Sequence, residues 1–340
     1  MKILNEIEIH SALCGAVKTD QTEEGYVFHR FTEEQEDLYR QTRVERLFNR
    51  CFCPAGIKLS FETDSPFLFL KVKTARTPGM LRQFFSFDLK INGVYRERLS
   101  NQPDDFSLYA PETVLEQGEW EKTFDLGEGK KKIDLFFPWA VYVTLREIAL
   151  QDGASFTPCR PEKKLLVFGD SITQGYDVRR SSLAWATAFS EKAGLELSNL
   201  AIGGEVMFPE LAAAKMPFEP AYIAVAYGTN NWLKAKPDPG FAGIALSFYQ
   251  NLRKTYPNAK IFALSPIWRA DWREERPFGP FSVIANGIRE AAREVGARFV
   301  DGFSLVPGEK MFYSDLRVHP NDLGFQEYAE NLWQTLKNEL

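Results

Sequence analysis

Several residue patterns are scarce or missing in this chain, and each absence removes a class of protein. There are only 3 histidines in 340 residues, and 4 cysteines: Cys14, Cys51, Cys53 and Cys159. Without an export signal, a disulfide framework is not needed. Cys51 and Cys53 form a C-x-C pair, but no histidine–cysteine set at ligand spacing accompanies them. Free thiols are therefore expected, with no metal and no cofactor. Long apolar runs are also missing. The opening "MKILNEIEIHSALCG" is broken by charges every few residues and has no apolar core of a leader peptide. No stretch has spanning length, so a membrane partner is not expected and a cytoplasmic location follows by default. Long basic runs are absent as well, and the formal net charge is −5. The one lysine cluster, "GEGKKK" (127–132), reads as a solvated turn between strands, and nucleic acid is not an expected partner.

What is present is the composition of a soluble globular protein, 44% apolar and 26% charged. A chain of this length exceeds what one core usually serves, so two domains are expected. Residues 1–155 read as β structure. "KLSFETDS" (58–65), "FLFLKVKT" (67–74), "FFSFDLKING" (84–93), "WEKTFDL", "KKIDLFFP" and "VYVTLREIAL" (141–150) are short alternating or apolar runs. Turn signals bound them, which predicts a jelly-roll-like sandwich. The polar, proline-bearing segment 151–164 reads as a linker.

Residues 160–340 have a different rhythm. Apolar runs "LLVFG", "LELSNLAI", "YIAVAYG", "KIFALSPI" and "ARFVDG" alternate with helical patterns. Near-continuous apolar strands indicate burial on both faces, so this half is expected to be α/β with a five-stranded parallel sheet. Ligands of such sheets bind at the carboxyl ends of the strands. That rule alone selects Asp170-Ser171, Gly203-Gly204 and Gly228-Thr229-Asn230-Asn231.

Taken alone, the Ser171 of "LLVFGDSITQGYDVRR" (165–180) reads as a turn serine. A serine hydroxyl needs a positioned base to act as a nucleophile. If Ser171 is a nucleophile activated by histidine, His319, the one histidine of the α/β half, is the base by elimination. Asp315, four residues earlier in "SDLRVHPND", is the candidate for the carboxylate that would orient it. The Gly204 N–H and the Asn230 amide are candidate oxyanion donors. There is no G-x-S-x-G elbow, no P-loop, no G-x-G-x-x-G turn and no H-E-x-x-H.

Four blocks in order, Gly169-Asp170-Ser171, Gly204 in "NLAIGGE", Gly228-Thr229-Asn230 in "YGTNN" and His319 in "VHPND", resemble the GDSL, or SGNH, hydrolase family. The resemblance covers about the last 175 residues. It implies a flavodoxin-like sheet, no metal, Ser171 as nucleophile and His319 as general base. It also implies an oxyanion hole made of the Ser171 N–H, the Gly204 N–H and the Asn230 amide. Gly203 is an alternative for the glycine, but the spacing from Asn199 favours Gly204. Two positions depart from the pattern. Asn231 stands where the family usually has aspartate, and the usual D-x-x-H is here D-x-x-x-H, with Leu316 where the acid would fall.

An N-terminal sandwich joined to such a domain also resembles the two-domain carbohydrate esterases. The expected activity is hydrolysis of short acyl esters, chiefly acetyl, on small-molecule or oligosaccharide substrates. Trp232 and Trp268 are candidate pocket residues, and "WRADWREERPFGP" (268–280) has the composition of a substrate-side loop. The alternatives are a lipase, lysophospholipase or thioesterase, an O-acyltransferase, or a non-catalytic carbohydrate-binding protein. A homo-oligomer is compatible with the sequence.

Overall fold

The computed structural model describes residues 1–103, 108, 115–233, 240–277 and 279–340. The first part of the chain builds two antiparallel sheets. One runs Lys18–Thr22, Gly25–His29, Tyr142–Leu150, Phe67–Ala75, Gly118–Asp125, with Lys2–Ile3 paired to Tyr142–Leu150. The other runs Thr157–Pro158, Lys58–Thr63, Lys131–Phe136, Ser86–Ile91, Val94–Ser100, with Leu13–Cys14 paired to Lys58–Thr63. Strand alternation explains how they share a core. Leu68, Leu70 and Val72 of the first sheet meet Leu59, Phe61, Phe87, Leu89, Ile133 and Leu135 of the second in one buried cluster. Each such side chain, fully buried, contributes about 1.5–3 kcal/mol.

The opposite face of the second sheet is not solvated. Ser86 and Asp88 are buried there, and Asp88 accepts the Ser182 backbone N–H at 2.8 Å. Lys90 reaches Glu191 at 2.5 Å. The polar alternation of "FFSFDLKING" thus marks a face packed on the α/β part rather than one in water.

The α/β part is a five-stranded parallel sheet. Its strands, in chain order, are Lys164–Gly169, Glu196–Asn199, Tyr222–Ala226, Lys260–Leu264 and Arg298–Val300. The spatial order is second, first, third, fourth, fifth. This flavodoxin-like order reverses at the first strand, and the crevice at its carboxyl end is where a ligand belongs. The first strand is buried on both faces. Leu165 and Val167 join the cluster holding Trp185 and Leu332, while Leu166 and Phe168 join the cluster holding Phe248 and Ile288.

Two features were not expected from sequence. Helices cover Glu6–Ala12 and Glu33–Thr42 in the region read as all β. The second is closed by a capping box of Thr32 and Gln35, a T-x-x-Q signature legible in the sequence. The segment read as a linker is strapped down: Thr157–Pro158 pairs with Lys58–Thr63, and the Cys159 N–H donates to Ser60 at 2.9 Å. No helix among the described residues is long and apolar enough to cross a membrane.

Candidate active site

The first strand ends at Gly169, and the chain turns at once into the short helix Ser171–Gln174. Asp170 caps that helix, its Oδ1 accepting the Ile172 N–H at 3.1 Å. Ser171 sits at the first helical position, where the backbone N–H has no intrahelical acceptor. Its Oγ lies 3.0 Å from His319 Nε2. His319 Nδ1 lies 2.8 Å from Asp315 Oδ2. The structure therefore brings all three residues into one line.

The spacing D-x-x-x-H is absorbed by a turn, not by a helix. Leu316 takes a left-handed backbone, φ 55°, and its side chain is exposed. The chain then wraps around the carboxylate: Asp315 Oδ1 accepts the N–H groups of Arg317 at 2.9 Å, Val318 at 2.7 Å and His319 at 3.1 Å. Burial pushes the Asp315 carboxyl up, but the His319 ring and these N–H donors outweigh it and hold the group well below the usual carboxylate range. An ionised Asp315 can only accept, so Nδ1 carries the proton and Nε2 is free to accept from the Ser171 hydroxyl.

The imidazole is held from other sides too. The Tyr176 ring lies over it at 4.6 Å, and Trp139 packs on Tyr176 at 5.3 Å. The Ser314 N–H donates to the His319 carbonyl at 2.8 Å, and Ser314 Oγ donates to buried Asp177 at 2.7 Å. Asp177 also takes Arg82, from the N-terminal part, at 2.6 Å. Asp271 holds the loop from outside, accepting from Arg269, Arg276 and Arg317 at 2.5, 3.1 and 2.9 Å.

The candidate oxyanion donors lie at the ends of the second and third strands. Gly203 N–H is occupied, donating to Gln174 Oε1 at 2.6 Å. Gly204 is exposed and at φ 84°, a conformation that favours glycine, and its N–H has no acceptor among the described residues. Of the two glycines, Gly204 is the one with a free donor. Asn230 follows Gly228, where φ is 124° and an added Cβ would lie 2.5 Å from Ile284. Asn230 Nδ2 donates one hydrogen to the Glu205 carbonyl at 2.8 Å, and its second is left over. Asn231 Oδ1 accepts the Met207 N–H at 3.1 Å, so asparagine keeps an acceptor where the family usually has aspartate.

Trp232 does not face a ligand. It is fully buried, edge-on to Phe281 at 4.9 Å, with Nε1 bonded to the Gly279 carbonyl at 2.9 Å. It supports the loop that follows the fourth strand from inside, so its ring is not at the surface of a pocket as its candidacy would require. Trp268 is half-buried against Tyr313, at 4.9 Å, beside the histidine loop. Phe278 of the 268–280 segment lies outside the described residues. Sequence reasoning missed Tyr176, Trp139, Arg82, Asp177, Ser314 and Asp271. Each acts through packing or hydrogen bonds across the fold, with no local pattern to announce it.

A five-stranded parallel sheet with a hydroxyl, an imidazole and a carboxylate in line at its carboxyl edge is an arrangement suited to acyl transfer through a serine. Residues 167–327 match the model of the GDSL-like lipase/acylhydrolase family. No curated protein matches the chain. Among solved structures, the chain is similar to a salicylyl-acyltransferase, SsfX3, from a tetracycline biosynthetic pathway. That likeness has 20% identity and a TM-score of 0.77, over 96% of this chain and 94% of the other. A GDSL-like lipase from Bacteroides ovatus matches at 19% identity and a TM-score of 0.71, over 96% and 94%. A family two carbohydrate esterase from Clostridium thermocellum, in complex with cellohexaose, matches at 14% identity and 0.64, over 96% and 98%. The likeness extends through the N-terminal sheets, so the two-part architecture is shared.

Proposed function

We propose that this protein is a serine esterase that removes short acyl groups, acetyl foremost, from carbohydrate-like alcohols, with residues 1–155 as a sandwich domain and 160–340 as the hydrolase domain. The observation that carries the reading is the line Ser171 Oγ, His319 Nε2, His319 Nδ1, Asp315 Oδ2, with contacts of 3.0 and 2.8 Å. Ser171 Oγ attacks the ester carbonyl as His319 Nε2 takes its proton. The oxyanion is received by the N–H groups of Ser171 and Gly204 and the Asn230 amide. Collapse returns the proton to the departing alcohol and leaves an acyl-Ser171. His319 then activates water, and the acid is released. Asp315 holds the tautomer and offsets the imidazolium charge.

The carbohydrate part of the reading is supported by neighbours of the same two-part architecture that are described as carbohydrate esterases, one of them with cellohexaose bound. Transfer of the acyl group to an alcohol is the second reading, because the same acyl-enzyme serves both and the salicylyl-acyltransferase shares the architecture over 96% of this chain.

The test is a series of chromogenic esters from acetate to decanoate, with Ser171→Ala as control. Activity should fall beyond butyrate and drop by several orders of magnitude in the variant. Full activity in Ser171→Ala overturns the mechanism, and a preference for decanoate favours a lipase. Adding an alcohol acceptor separates the two readings: acylated alcohol in place of free acid identifies a transferase.

A further inference from the structure

The Gly203–Gly204 turn is held by a residue from outside the family-matched segment. Arg50 belongs to the N-terminal part, yet its side chain is buried against this turn. Its Nη1 donates to the Gly203 carbonyl, and its Nη2 donates to the Gly79 carbonyl at 2.8 Å. Its Nε is buried with no acceptor among the described residues. A Cβ added at Gly203 would lie 3.2 Å from Arg50 Nη1, 3.2 Å from Gln174 Oε1 and 3.6 Å from Ser171 Cβ. The guanidinium therefore closes on the turn from one side while the nucleophile closes from another.

Arg50 is itself anchored. Arg30, also buried, donates to the Arg50 carbonyl at 3.0 Å, to the Asn199 carbonyl at 2.5 Å and to the Ala201 carbonyl at 3.2 Å. Two arginines of the N-terminal part thus hold carbonyl groups along the chain from the end of the second strand to the glycine turn. Among the described residues neither forms a salt bridge with a carboxylate. Taking a guanidinium out of water with no carboxylate partner carries a desolvation cost that hydrogen bonds to backbone carbonyls only partly offset.

We propose that Arg50 is a positioning residue for the oxyanion hole: by gripping the Gly203 carbonyl it aims and polarises the Gly204 N–H. The two groups belong to one planar peptide unit, in which C=O and N–H point in opposite directions. Fixing the oxygen therefore fixes the direction of the hydrogen. A positive charge at the oxygen end also strengthens the N–H as a donor, as in any chain of polarised hydrogen bonds. The other side of Gly203 is fixed as well, because its N–H is taken by Gln174, whose Nε2 donates to the Trp139 carbonyl at 3.1 Å. The donors of the hole thus lie in the α/β part, while the turn that carries one of them is held from the N-terminal part. This inference rests on the esterase reading above.

The test uses the full chain with Arg50→Met and Arg50→Lys, assayed on a short-chain chromogenic ester, with an arylboronic acid as a tetrahedral-adduct probe. Arg50→Met should lower kcat about 10- to 100-fold with KM within about twofold, and weaken the boronate by a similar factor. Arg50→Lys, which keeps the charge but cannot hold both carbonyls, should fall between Arg50→Met and the parent protein. A wild-type kcat in either variant, or a loss confined to KM, overturns the inference. Should Arg50→Met fail to melt cooperatively, Arg50→Lys decides alone: a loss of about 3- to 10-fold in kcat at unchanged KM supports the role. Ser171→Ala is run alongside. No turnover by the parent protein, or full turnover by Ser171→Ala, sinks the esterase reading and this inference with it. Turnover that is lost in Ser171→Ala but untouched in Arg50→Met sinks this inference alone.

Discussion

Asp315 grips His319 twice. Its Oδ2 takes the ring Nδ1–H at 2.8 Å, and its Oδ1 takes the backbone N–H of the same residue at 3.1 Å. Ring and main chain are therefore oriented by one carboxylate, and the imidazole has little freedom to turn away from Ser171.

Asp315→Asn should lower kcat about tenfold or more while leaving KM close to the parent value, because an amide can donate to Nδ1 and favour the wrong tautomer. The loss should persist across about pH 5 to 8. A carboxyl held below its ordinary value contributes above that value and loses its effect only as pH falls through the depressed one. A pH–rate profile of both proteins checks this. An unchanged kcat would mean that the backbone donors and Tyr176 suffice to orient the ring.

Leu316 bears the cost of the extra residue. A left-handed backbone costs a non-glycine residue about 1–2 kcal/mol, and the exposed side chain returns little. Leu316→Gly should keep kcat within about twofold, with stability unchanged or raised by up to about 1 kcal/mol. Leu316→Val should lower both, since β-branched residues tolerate positive φ poorly. Thermal melts with parallel assays decide.

Asp271 gathers Arg269, Arg276 and Arg317, and Arg269 also donates to the Thr229 carbonyl at 3.1 Å. It thereby ties the asparagine block to the histidine loop. Asp271→Ala should cost about 3–5 kcal/mol, because it strands the buried Arg269 charge. Arg317→Ala, at the exposed end of the same cluster, should cost about 1 kcal/mol or less. Denaturant unfolding of the two variants would show the contrast, and equal costs would refute it.

Beside Ser171, burial pushes the Asp170 carboxyl up, to about 7, against the pull of the Ile172 N–H, His319 and Arg269. Unfolded, it titrates near 4. Between about pH 4 and 7 the native state binds the proton that the unfolded state has released, so stability from this group falls as pH rises. Asp170→Asn keeps the helix cap and removes the titration. The melting temperature of Asp170→Asn should gain on the parent protein as pH is raised from about 4 to 8. A pH-independent difference would show that Asp170 is already ionised in the folded chain at the low end.

Much of this protein was determined by local sequence. Strand periodicity separated the sandwich-like part from the parallel sheet, and near-continuous apolar strands announced burial on both faces. The strand-end rule selected Ser171, Gly204 and Asn230 as candidates, and the scarcity of histidine left His319 as the candidate base. These are short-range patterns, and backbone geometry reads them directly. The tertiary structure decided the rest. Whether Asp315 reaches His319 across an extra residue depended on one left-handed turn at Leu316. Whether Trp232 meets a ligand depended on how the loop after the fourth strand folds over it. That the N-terminal part sends Arg50, Arg82 and Trp139 to the site depended on docking two sheets against a third. Side chains more than a hundred residues apart converge by packing, and no local period records where they will meet.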